Sequence, residues 1–232
     1  MSKKAAQLCL VLLLVAPPLV QPLMSLQAQE PIIVIDGVRE AAWGQPLALD
    51  PAGDMSEPNL DLQGLYVVED ADNYYLGLDA TASSWGMAYG IYLDTNQVAG
   101  SGAISDPWSR AIRAVDAHLP EHTLYAWHDD VDNLQEAQLS HWTGAGWTYE
   151  SLSAQGGTQA YGPEGDWIEY RVPKEALGNS AVIALELFTT GGSGHAQDTV
   201  PSDPNVAYTE PDWGGDLTTL SAFAVFPPPP PP

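Results

Sequence analysis

The sequence predicts an all-β fold, a two-sheet antiparallel β-sandwich with at most one short helix. Three observations point there. Apolar residues recur with a period of two in short runs, clusters of Asp, Asn and Gly separate those runs, and only 16% of residues are charged while 21 Gly and 20 Pro favour turns over long helices. Eight Trp and ten Tyr supply apolar surface for a packed core, which argues against disorder.

Taken in order, residues 32–35 form an apolar run that ends at the turn pair Asp36-Gly37 and predict an opening strand. Leu60, Leu62, Gly64, Tyr66 and Val68 share one face, and the acidic turn at 69–73 leads into Tyr74, Leu76 and Leu78, which predicts an antiparallel hairpin. Strands are predicted over 89–94, 111–115, 123–128 and 134–142. Trp142 and Trp147 bracket the tight loop Thr143, Gly144, Ala145, Gly146, the pattern of a hairpin tip with cross-strand aromatic packing. Over 166–172, Trp167, Glu169 and Arg171 alternate with Ile168, Tyr170 and Val172. The short helix is predicted at 173–177, with Pro173 in its first turn and Gly178 as its stop. Residues 181–188 are apolar on both faces apart from Glu186, as befits a strand between two layers, and 217–226 supply a closing strand.

The first 28 residues have the features of a signal peptide. Lys3 and Lys4 precede the apolar run 8–16, Pro17 and Pro18 break it, and Ala28 is the expected cleavage point. That run covers about half of the roughly 20 residues a membrane-spanning helix needs, so the expectation is a secreted, extracellular chain whose β-sandwich module is residues 29–226. The sole cysteine, Cys9, leaves with the signal, so neither a disulfide framework nor a thiolate metal site is expected. Residues 227–232 are six prolines, a polyproline II linker about 19 Å long at ~3.1 Å per residue. Such a spacer leads to the expectation of a catalytic domain beyond it.

Cleavage would leave 30 acidic residues against the five bases Arg39, Arg110, Arg113, Arg171 and Lys174, a net charge of −25. Polymers and surfaces coated in phosphate would be repelled, so neither nucleic acid nor membrane is an expected partner.

No nucleophile elbow, His-Glu-x-x-His or phosphate-binding Gly-rich loop occurs, and the expectation is that the chain is not an enzyme. The stretch from Asp94 and Asn96 through Gly100 and Gly102 to Asp106 is polar and Gly-bearing, and its hard oxygen ligands suit a structural Ca²⁺ ion held by Asp94, Asn96 and Asp106. The spacing departs from an EF-hand, because Val98 takes the fifth position and Ser105 the twelfth. His118 and His122 are four apart, but Pro120 prevents the helix that would align them. Sugar rings present apolar C–H faces that a flat aromatic can cover. Trp85, Trp108 and Trp213, set among Ser, Gly, Pro and Asp, are the candidate ligand-binding platforms, whereas Trp43, Trp127 and Trp167 lie in or beside strand patterns and belong to the core.

Ile35-Asp36-Gly37 followed by Ala42-Trp43 resembles the start of carbohydrate-binding modules of family 9. The hairpin from Leu65-Tyr66-Val67-Val68 to Tyr74-Tyr75-Leu76 is similar to that of the same group. Tyr92-Leu93-Asp94-Thr95-Asn96 with Gly100 is similar to a segment of the C-terminal sandwich modules of glucodextranases and of pullulanase-associated modules. The resemblance implies a β-sandwich, bound Ca²⁺ in some members, and either sugar binding or an architectural role beside a catalytic domain. The expected function is therefore a non-catalytic carbohydrate-binding or accessory module of an extracellular polysaccharide-degrading enzyme of α-glucan type, with neutral polysaccharide as its partner. The competing readings are a structural or cell-surface interaction domain without a sugar site, and a small stand-alone hydrolase.

Overall fold

The structure is a computed structural model that describes residues 33–129, 133–191, 194–208 and 215–229. In chain order its strands are β1 (Ala48–Leu49), β2 (Leu62–Glu69), β3 (Asn73–Ala80), β4 (Met87–Asp94), β5 (Ile112–Ala114), β6 (His122–His128), β7 (Gln138–Trp142), β8 (Trp147–Ser151), β9 (Thr158–Tyr161), β10 (Trp167–Pro173), β11 (Ile183–Thr190), β12 (Asp198–Val200), β13 (Thr218–Leu220) and β14 (Ala224–Phe226). They form an all-β sandwich. One sheet runs β1-β2-β3-β10-β9 and the other β12-β11-β4-β6-β7-β8, with β14 continuing the edge of β11 that β12 begins. All these pairings are antiparallel, while β5 and β13 form a small separate parallel pair.

Period-two patterning builds the sandwich core. Leu65, Leu76, Leu78, Ile168 and Tyr170 of the first sheet meet Met87, Tyr89, Ile91, Leu93, Leu124, Leu185 and Leu187 of the second. In the β2–β3 turn, Asp70 Oδ1 accepts from the backbone N–H groups of Asp72 and Asn73, which is why an acidic residue suits that place.

The second sheet is covered on both faces, and every residue of β4 and β11 is accordingly buried. Its outer face carries a second core of Ala88, Tyr92, Tyr125 and Phe188, roofed by Ile112, Ala114, Leu119 and Leu220 from the connections and the β5–β13 pair. The outer face of the first sheet is capped by Ile33 and Trp43, packed on Tyr66 and Trp167. Trp43 and Trp167 thus belong to the core as the sequence predicts. Trp127 is partly buried against the second core.

Three expectations change in detail. Residues 33–35 are not a strand, because Asp36 and Gly37 donate their N–H groups to the buried Glu169 carboxylate instead of a neighbouring strand. At that corner Gly37 has φ +82° and a Cβ would sit 2.8 Å from the Tyr161 carbonyl oxygen, so the approach requires glycine. The predicted helix is a 3₁₀ turn, Lys174–Leu177, stopped by Gly178 in the left-handed conformation. The closing strand splits in two, since β13 pairs in parallel with β5 and β14 pairs with β11.

Gly90 is tightly packed on the outer face of the second sheet. A Cβ there would lie 2.4 Å from the Phe188 ring and 2.7 Å from that of Tyr125, and both rings are fully buried. Gly90→Ala should therefore cost about 1–3 kcal/mol of stability by overpacking. At roughly 2–4 °C per kcal/mol, calorimetry should record a melting midpoint several degrees lower.

Candidate functional site

The β7–β8 hairpin lies at one edge of the second sheet and offers a different surface on each face. Residues two apart share a face, so Trp147 and Tyr149 stand side by side, about 7 Å apart along β8. Trp142 pairs directly across from Trp147, with ring centroids 5.6 Å apart in an edge-to-face arrangement. The connection ahead of β5 fixes two of these aromatics. Trp147 Nε1 donates to the Ser105 carbonyl at 2.8 Å and the Tyr149 hydroxyl donates to the Pro107 carbonyl at 3.0 Å. Tyr149 remains 49% exposed.

Trp108 adjoins this strip. It is half-buried, stacks on Tyr125 with centroids 4.5 Å apart and donates from Nε1 to Gln138 on β7 at 2.6 Å. Trp85 is half-buried against the sandwich core, and its carbonyl accepts from His128 Nδ1. These two platform candidates lie apart, one over each core. Trp213 lies outside the described residues. Sequence patterning singled out isolated loop tryptophans, whereas the aromatics gathered here were signalled by the alternation Trp147, Tyr149 and by the bracketed loop.

The opposite face of the hairpin borders a cleft of about 410 Å³, lined by His122, His141, Thr148, Glu150, Gln155 and Glu175 together with Leu139 and Ala176. His141 Nδ1 and His122 Nε2 are 3.1 Å apart and share a hydrogen bond. Burial, with the neighbouring His141 as a lesser cause, pushes His122 down to about 4, so it is neutral at pH 7. A cleft rimmed with carboxylates, an amide and a hydroxyl is suited to hydrogen-bonding a polyhydroxylated ligand.

The three residues expected to hold Ca²⁺ have separate protein partners. Asp94 accepts from Gln97 N–H and pairs with His118 Nδ1 at 2.9 Å. The Asn96 side chain accepts from Val98 N–H and Ser101 Oγ and donates to Glu121. Asp106 accepts from Tyr92 and Tyr125 hydroxyls and from Trp108 and Arg110 N–H groups. Among the hydrogen bonds of the described residues they have no partner in common, and each carboxylate is already engaged by donors of the chain.

A different set of carboxylates does converge. Oxygens of Asp50, Asp54 and Asp198 all lie within 4.8 Å of one another. Burial, partly offset by Ser202 and reinforced by Asp54 and Asp61, raises Asp50 to about 6. Burial likewise raises Asp198 to about 7, with N–H bonds from Leu62 and Thr199 opposing it and the charges of Asp50 and Asp54 adding to it. Residues from three distant parts of the sequence meet here, and no local motif announces such a group.

No protein-family model, no curated protein and no solved structure matches the chain.

The histidine pair generates a direct test. His122 should titrate near pH 4 by NMR. Because that is below the ordinary value of about 6.5, its contribution to stability should be lost as pH falls from 6.5 towards 4. His141→Gln should raise the His122 value only in part, since burial is the larger cause.

Proposed function

We propose that the chain is a non-catalytic carbohydrate-binding or accessory module of an extracellular polysaccharide-degrading enzyme of α-glucan type, and that the β7–β8 hairpin is its sugar-contacting surface. The observation that carries this reading is the strip of Trp142, Trp147 and Tyr149 on one face of an edge hairpin, with Trp108 adjoining it. Rigid aromatics held by hydrogen bonds at their polar tips can cover apolar sugar faces with little loss of side-chain entropy. A net charge of −23 disfavours anionic polymers and leaves neutral polysaccharide as the fitting partner. The signal-like first 28 residues favour an exported protein, and the proline run at 227–232 favours a tethered neighbour, whose avidity would compensate for weak binding at one site.

Native affinity electrophoresis in gels containing starch, dextran or xylan tests the reading. Starch or dextran should retard the protein, and Tyr149→Ala and Trp147→Ala should each weaken retardation about fivefold, the equivalent of ~1 kcal/mol for one stacked ring. Circular dichroism of each variant checks that the fold is intact. If no neutral polysaccharide retards the protein, or retardation survives the double substitution, the sugar-binding reading falls and a structural or cell-surface interaction domain replaces it.

A further inference from the structure

We propose that Asp50, Asp54 and Asp198 form a Ca²⁺ site that ties the two sheets together at the β1–β12 end of the sandwich. The inference stands apart from the sugar-binding reading and rests on different residues. Asp50 follows β1, Asp54 lies in the exposed loop after it, and Asp198 opens β12, so both sheets contribute.

Two independent observations carry it. The first is convergence: the three carboxylates approach within 4.8 Å of one another. Oxygens that share one Ca²⁺ ion at 2.3–2.6 Å can be no farther apart than about 4.6–5.2 Å, a limit these three meet. Ca²⁺ tolerates irregular coordination by carboxylates, whereas Mg²⁺ demands near-ideal octahedral geometry and keeps several of its waters, so a group of three carboxylates suits Ca²⁺ better. The second observation is Asp50 Oδ2. Asp50 is 6% exposed, and although the Ser202 side chain bonds its carboxyl, Oδ2 is buried with no hydrogen-bond partner. An unpaired buried carboxylate oxygen beside two further carboxylates is costly unless a cation completes it.

The surroundings are built to hold these groups in place. Asp198 accepts from Leu62 N–H through Oδ2 at 2.7 Å and from Thr199 N–H through Oδ1 at 2.9 Å, so its carboxylate is fixed across the sheet-to-sheet gap. Asp61 accepts from Gly53 N–H, one residue before Asp54, and from the Thr81 hydroxyl, which anchors the loop. A cleft of about 300 Å³ lined by Asp54, Ser56, Asp198, Ser202 and Asp203 opens beside the group. It provides an entry path and room for the water ligands that Ca²⁺ needs beyond three carboxylates.

Calorimetry of the full-length protein, stripped with EDTA and titrated with CaCl₂ or MgCl₂, provides the test, alongside Tb³⁺ luminescence as a direct report of binding. Ca²⁺ at about one hundred times its dissociation constant should raise the melting midpoint by roughly 5–10 °C. Asp54→Asn, on the exposed loop, should fold and bind Ca²⁺ at least tenfold more weakly. Asp50→Asn should abolish the response, whereas Asp94→Asn should leave it intact. The proposal is overturned if Ca²⁺ and EDTA leave the midpoint unchanged and Tb³⁺ does not bind, or if the response survives Asp50→Asn and Asp54→Asn. Loss of the response in Asp94→Asn with retention in Asp54→Asn would move the ion to the 94–106 segment and equally overturn it. An equal response to Mg²⁺ would refute the assignment to Ca²⁺.

Discussion

Buried carboxylates that accept backbone N–H bonds hold the loops of this sandwich to its sheets. Glu169, wholly buried on β10, takes the N–H groups of Asp36 and Gly37 on one oxygen and Trp167 Nε1 on the other, and so fastens the first described segment over the first sheet. Glu121 takes Thr95 N–H and the Asn96 amide, Asp106 closes the turn through Trp108 and Arg110, and Asp203 takes the N–H groups of Asn205 and Ala222. Composition compels this solution. With 7 Lys and Arg for 30 Asp and Glu, most carboxylates have no basic partner, and three ion pairs are present among the described residues. A charge-assisted bond from an amide is the counterpart that the backbone always supplies, worth about 1.5–3 kcal/mol when buried.

Where amides run short, acid groups crowd one another. Glu186 is fully buried on β11, accepts one bond from Ala222 N–H and faces Asp203. Burial, with Asp203 adding to it, pushes Glu186 up to about 9, so it keeps its proton at neutral pH. The Asp50, Asp54, Asp198 group is the second such place and the less shielded one, since it borders a cleft. The crowded pair is relieved by a proton; the group of three is where the proposed ion would sit.

The sequence made the layers legible through local alternation. Tyr74, Leu76 and Leu78 against Tyr75, Gly77 and Asp79 could not suit any other element, and Trp142 with Trp147 announced their hairpin. Strands without that signal escaped. β9 is exposed or half-exposed throughout, and β12 is a buried Asp-Thr-Val. The sites were harder still. Asp50 and Asp198 are neighbours only because β1 joins the first sheet and β12 the second, and a spacing of almost 150 residues carries no periodicity. Asp94 and Asp106, by contrast, sit in a segment that looks ligand-like in sequence, yet their oxygens fasten its turns.

The pairing of β5 with β13 has a kinetic consequence. Arg113 lies opposite Thr219, Ile91 opposite Leu187, and Leu62 is bonded to Asp198, so each closure joins points about 100 residues or more apart in the chain. Loop-closure entropy must be overcome before such contacts reward it, and folding dominated by them is slow. A chain growing from the ribosome cannot complete its central sheet until β11 has emerged, and cannot roof the second core until β13 has followed. In that interval unpaired strands of many copies are exposed to one another, the condition under which β-rich chains aggregate. The acidic excess is already present at that stage, and mutual repulsion keeps the half-made sheets apart until the last strands arrive.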